Sequence, residues 1–186
     1  MTLRGHGQPL GMPGGWRREE RLLTKWIGSG SRRGDAAPSR AGDVLRQPYV
    51  WGGLASALAL TSPRGRRAAL RGATCSAVAS LLHLPLKRAI RRPRPRGARL
   101  RGSALLTSSF PSGHTASDLS FVFGASQEAP VLFVPLSAAT VASHWSLIRS
   151  RKHYPSDVLA GGAIAVAVTA AAWRLRPPFG AGVRAG

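Results

Sequence analysis

The sequence predicts an all-α protein, an integral membrane helical bundle of about five core helices, and three observations carry that prediction. The chain of 186 residues holds 27 Lys and Arg against 7 Asp and Glu, a formal net charge of +20, yet 44% of its residues are hydrophobic. The two populations are segregated: basic residues crowd the connecting stretches and apolar residues crowd the runs, the pattern of a small multispan protein with basic flanks. Finally, Tyr49 and Trp51 open the first apolar run, and Leu159 to Val168 is rich in Ala and Gly, which lets helices approach closely in lipid.

The same charge fits a nucleic-acid-binding protein, but that class interleaves aromatic residues among its cations for stacking. Residues 87–101 contain none, so the reading is no nucleic acid. The single Cys75 lies in an apolar run and reads as a small buried residue. No zinc-type ligand cluster is present, and no metal or cofactor is expected. Residues 2–15 are Gly-rich and polar, so insertion is expected to use an internal helix.

Three regions follow from composition. Residues 1–44 form a basic N-terminal region, expected to hold little fixed structure over 1–15 and 28–43, with an amphipathic helix at 16–27 that places Trp16, Leu22, Leu23, Trp26 and Ile27 on one side. That helix fits a membrane surface or a solvated contact with the bundle equally well. Residues 45–176 form the helical domain, and 177–186 a flexible tail. The apolar helices are expected near 49–62, 72–86, 113–126, 131–147 and 155–173. This order puts the basic loop 63–71, the turn 127–130 and the C-terminal tail at one end of the bundle. The N-terminal tail and the segments 87–110 and 148–154 lie at the other.

Three separated stretches therefore converge. Phe110-Pro111-Ser112-Gly113-His114 reads as a helix start: Ser112 caps it, Gly113 lets a ligand approach the backbone, and the first turn offers open N–H groups to an anion. His114 sits beside those amides with an imidazole that titrates near neutrality. Lys87 to Pro95 brings Lys and Arg, the side chains that bind phosphate. In His153-Tyr154-Pro155-Ser156-Asp157, Pro155 begins a helix, so Asp157 in its first turn reaches back to hold one imidazole nitrogen of His153 and leaves the other free. Asp118, four residues after His114, shares its helix face; buried beside that imidazole it would favour the protonated ring, and a capping or loop-facing position fits it equally. His83, one turn before Lys87, and His144 read as structural.

Taken together, the Lys87-x6-Arg94-Pro95, Pro111-Ser112-Gly113-His114 and His153-x3-Asp157 motifs, in that order and spacing, resemble the type 2 phosphatidic acid phosphatase superfamily over residues 45 to 175. The resemblance implies a haloperoxidase-like helical bundle and a metal-independent lipid phosphate phosphatase working through a phosphohistidine. It implies that Lys87, Arg94, Ser112 and Gly113 bind the phosphate, that His114 protonates the leaving oxygen, and that Asp157 orients His153 as nucleophile. A lipid phosphate such as a polyprenyl phosphate or diphosphate, phosphatidate or a prenyl-linked sugar phosphate is the implied substrate. One position departs. The family's third motif places an Arg where this chain has Leu147, and Arg151, one turn on, is the expected substitute if the helix continues that far. An active phosphatase and a catalytically weakened lipid-phosphate-binding relative both follow from that departure. Arg64, Arg66, Arg67, Arg71, Arg174 and Arg176, opposed by Glu128, favour a cytoplasmic position for their end and an outward-facing site in the plasma membrane.

Overall fold

In a computed structural model the described residues are 14–29, 36–95 and 108–175. The expectations for the first residues and for the tail 177–186 lie outside them. Among the described residues the architecture is all-α: α1 (Gly14–Ser29), α2 (Ala36–Leu45), α3 (Pro48–Thr61), α4 (Pro63–Ala89), α5 (Gly113–Ser126), α6 (Phe133–Arg149, entered through a 3-10 turn at Pro130–Leu132) and α7 (Pro155–Arg174).

Two expectations are corrected by these boundaries. The basic stretch 63–71 is not a loop but the first turns of α4. Ser62 accepts a hydrogen bond from the Gly65 amide at 3.0 Å, and Pro63 occupies the first helical position, where a missing N–H costs nothing. The stretch 28–43 is not wholly without fixed structure, because α2 begins at Ala36. Its anchor is Arg46, 5% exposed, which donates to the Ser143 and Ser146 hydroxyls of α6 at 2.8 and 2.9 Å and to the Ser143 carbonyl. Gly42 meets α6 so closely that a Cβ there would lie 2.5 Å from Ser146 Oγ.

The remaining helices pack through small residues. A Cβ on Gly72 of α4 would lie 2.9 Å from the Phe121 carbonyl of α5, and one on Gly124 would lie 2.9 Å from Cys75 Sγ. One apolar cluster joins Cys75 and Ala79 of α4 to Ala116 of α5 and Val168 of α7. A second joins Ala68 to Phe121 and Ala125, with Trp51 of α3 tilted against the Phe121 ring at 5.2 Å. Large apolar side chains also point outward: Leu60, Val131 and Leu159 are 87, 81 and 74% exposed. That surface suits lipid rather than water. Residues 130–149 and 155–174 are long and apolar enough to cross a membrane.

At the end of the bundle away from His114, Glu128 gathers the arginines of α4. It pairs with Arg67 and Arg71 at 3.5 and 3.2 Å, and its carbonyl accepts from Arg64 at 2.6 Å. Arg71 also donates to the Gln127 side chain at 2.7 Å, and Gln127 donates to the Thr169 carbonyl of α7 at 2.8 Å. These contacts tie α4, α5 and α7 together and leave the opposite end to the site.

Gly72→Val is expected to lower the thermal midpoint in detergent, at a cost of about 1–3 kcal/mol, because the added atoms meet backbone that cannot yield. Gly52→Ala in α3, where a Cβ meets nothing within 4 Å, is expected to leave the midpoint unchanged or raise it.

Candidate functional site

The C-termini of α4 and α6 and the N-termini of α5 and α7 meet at one end, and the local sequence explains why each begins or ends there. Ser112 caps α5: its Oγ accepts from the Thr115 amide at 3.4 Å and from the Thr115 hydroxyl at 2.9 Å. The Ser112 amide in turn donates to the Asp157 carbonyl at 2.9 Å, joining the first turn of α5 to that of α7. Gly161 permits this approach, since a Cβ there would lie 2.6 Å from the Ser112 carbonyl. Pro155 opens α7, and Asp157 Oδ2 accepts from the Tyr154 amide at 2.8 Å.

His153, 3% exposed, lies between α6 and α7. Its Nδ1 stands 2.8 Å from the Ser109 carbonyl and 3.5 Å from Asp157 Oδ2. A carbonyl only accepts, so Nδ1 carries the proton and Nε2 presents its lone pair. Arg94 Nη1 is 3.4 Å from that Nε2 and donates to the Lys152 carbonyl at 2.6 Å. Burial pushes the His153 imidazole below its ordinary value near 6.5, against the opposing pull of Asp157, while Arg94 and Lys87 add to the downward push. The net push favours the neutral ring.

Lys87 is buried at the last turn of α4, close enough to act electrostatically on His153. His114, in the first turn of α5, is exposed, and the two imidazoles also interact electrostatically. Lys87, Arg94, Ser112, Gly113, His114, His153 and Asp157 thus share one end of the bundle. The Ser112 hydroxyl is wholly buried and engaged as the cap, so it shapes the turn that presents the amides. Gly113 lies against His83, whose Nε2 would be 2.5 Å from an added Cβ. His83 is accordingly a wall of the site as well as a helix residue.

Two placements differ from the sequence expectation. Arg151 is not on the helix, because α6 ends at Arg149 and the chain turns at Arg151 with φ 57. The condition for it to lean back along the helix is not met, and its side chain makes no hydrogen bond or ion pair among the described residues. Asp118 pairs with His144 rather than His114: its Oδ2 lies 3.1 Å from His144 Nε2, with both groups buried. His144 therefore holds a carboxylate directly behind the site. Leu147, 2% exposed, faces inward, and its carbonyl accepts from the Lys152 and His153 amides at 2.9 and 3.3 Å, so it shapes the loop that carries His153.

Three contributors escaped the sequence reading. Ser109 supplies only a backbone carbonyl, which no side-chain pattern reveals. Arg46 comes from the stretch between α2 and α3 and acts electrostatically on both Asp118 and His114. Arg92, inside the basic run, donates from Nη1 to Asp157 Oδ1 at 2.9 Å. The available signal for Arg92 was its place two residues before Arg94 in an extended stretch, where alternate side chains face the same way.

The model of the PAP2 superfamily matches residues 68–180. The chain is also similar to a solved structure, that of a transmembrane PAP2 type phosphatidylglycerolphosphate phosphatase from Bacillus subtilis, with TM-score 0.69 and 16% identity over 88% of this chain and 89% of that one. At that identity the likeness is one of fold. No curated protein sequence matches.

The His153 imidazole, followed by NMR with His153→Gln for assignment, is expected to titrate below pH 6.5. Asp157→Asn is expected to lower that midpoint further, because it removes the carboxylate that favours the protonated ring. A rise would contradict the arrangement.

Proposed function

The chain belongs to the PAP2 superfamily, and from that premise we propose that it is a membrane phosphatase hydrolysing a phosphomonoester or diphosphate of a lipid. One observation carries the proposal. A buried imidazole has its Nδ1 facing the Ser109 carbonyl and its Nε2 facing the Arg94 guanidinium, at the bundle end that also holds His114 and Lys87.

In this reading Lys87, Arg94 and the open amides of α5 at Gly113 neutralise the phosphoryl oxygens. His153 Nε2 attacks phosphorus, and the N–P bond forms as the P–O bond to the lipid breaks. His114 gives its proton to the leaving oxygen. The Ser109 carbonyl and Asp157 hold the ring in place and stabilise the positive charge that develops on it. Water then attacks phosphorus, the N–P bond breaks, inorganic phosphate leaves, and a proton returns from the water to His114. No metal takes part in these steps.

The outward apolar side chains of α6 and α7, Val141, Trp145, Leu159 and Val166 among them, support a substrate whose lipid tail lies beside the site. Phosphatidate, a polyprenyl phosphate or diphosphate, a prenyl-linked sugar phosphate, and a phosphorylated phosphatidylglycerol like that named for the structural neighbour are the substrates to compare. The arginines gathered at Glu128 favour a cytoplasmic position for that end and an outward-facing site in the plasma membrane. A second reading rests on Leu147: an apolar residue faces inward where the resemblance implies a phosphate-binding Arg, and α6 ends before Arg151, which supports a binder with weakened turnover. Losing one such donor costs about 10²–10³ in rate.

The test is phosphate release in detergent from that panel, with and without EDTA. Release unaffected by EDTA is expected, and His153→Ala should lower it at least about 10³-fold. Tight lipid-phosphate binding without release selects the second reading. Release that survives His153→Ala at the wild-type rate contradicts the proposal.

A further inference from the structure

Asp157 has two oxygens, and what holds them lies on different sides. Oδ2 faces the Tyr154 amide and His153, while Oδ1 accepts from Arg92 Nη1 at 2.9 Å. Arg92 also donates to the Ser156 hydroxyl at 2.6 Å and lies over the Tyr154 ring at 4.1 Å, so its plane is fixed on three sides. Its other arm, Nη2, is paired with Glu20 Oε2 of α1. The second oxygen of Glu20 accepts from the Ser156 amide at 3.1 Å and from the Ser156 hydroxyl, so a carboxylate from the N-terminal helix sits on the first turn of α7. Both partners are largely withdrawn from solvent, the Arg92 side chain 14% and Glu20 12% exposed.

These contacts form a row of alternating charge: Glu20 carboxylate, Arg92 guanidinium, Asp157 carboxylate, His153 imidazole. We infer that Glu20 and Arg92 are positioning residues that set the orientation and the effective charge of Asp157, and through it the state of His153, so that α1 is part of the active centre although it lies outside the matched residues 68–180. The inference rests on the reading of His153 as nucleophile. Neither residue touches the reacting atoms. Arg92 draws field away from His153 by pairing with Asp157, and Glu20 restores it by pairing with Arg92.

The signs make the row testable. Neutralising Arg92 leaves the Asp157 charge wholly to the imidazole and raises the His153 midpoint. Neutralising Glu20 leaves the Arg92 charge uncompensated, weakens the hold of Asp157 and lowers that midpoint. The other charged groups facing His153 are Arg94 after α4, Lys87 of α4 and His114 of α5, and they are the same in every variant. Arg21 of α1 acts on Tyr154 and is likewise unchanged.

The experiment uses the full chain in detergent and reads two quantities, the NMR titration of His153 and the pH profile of kcat/KM on the best lipid phosphate. The expected result is a shift to lower pH in Glu20→Gln, a shift to higher pH in Arg92→Gln, a return toward wild type in the double variant, and little shift in Arg92→Lys, which keeps the charge. Arg92→Gln and Arg92→Lys should each lower kcat about 10-fold or more with KM little changed, since the fork that orients Asp157 is lost. Midpoints that do not move, or that move the same way in Glu20→Gln and Arg92→Gln, overturn the inference. Opposite NMR shifts in a protein that releases no phosphate would uphold the row of charges and overturn the nucleophile reading alone.

Discussion

Everything at the working end of this bundle depends on buried carboxylates holding cations that would otherwise repel one another. Lys87, Arg92, Arg94, His114 and His153 converge where the dielectric is low, and Asp157, wholly buried, lies among them. A chain with a net charge of +20 has few acids to distribute. All five whose side chains are described are paired: Glu20 and Asp157 with Arg92, Asp43 with Arg46 and Lys152, Asp118 with His144, and Glu128 with Arg67 and Arg71. Four of these acids lie at the end of the candidate site. The fifth closes the other end, so the same device that permits a cationic site also ties the helices that frame it.

The backbone completes what the side chains begin. Ser109 contributes a carbonyl that fixes the His153 tautomer, and the Asp157 carbonyl holds the Ser112 amide, so the cap of α5 is joined to the first turn of α7 beside His153. Gly161 and Gly113 are small for the same reason: the first lets α5 and α7 touch, and the second leaves room for the His83 ring. Leu147 joins this scaffold through its carbonyl, and Arg46 brings a buried guanidinium to α6 one residue earlier, at Ser146. Positive charge near His114 and Asp118 therefore enters from the N-terminal side of the chain as well as from the motifs.

How much of this was legible follows the range of each interaction. Pro155 and the Pro111-Ser112 pair announce helix starts locally, and apolar runs announce spans, so the order of helices and the convergence of Lys87, Arg94, His114 and His153 could be read directly. Ser62-Pro63 carried an equally local signal, but the arginines behind it resembled a loop until the cap was seen. Pairings between distant residues leave no periodicity: Glu20 with Arg92, Arg46 with Ser143 and Asp118 with His144 are 72, 97 and 26 residues apart. The helix expected to reach Arg151 falls short for a different reason, since helical spacing predicts a face only while the helix lasts, and α6 stops two residues before it.

The central claim is that phosphorus passes through His153 Nε2. Brief reaction with a lipid phosphate labelled in its phosphoryl group, quenching in base, and peptide mapping by mass spectrometry tests it directly, because a phosphohistidine survives base and is lost in acid. The account predicts base-stable, acid-labile label confined to the peptide carrying His153 and absent from His153→Ala. Label on another residue, or turnover with no label retained under any quench, would contradict it.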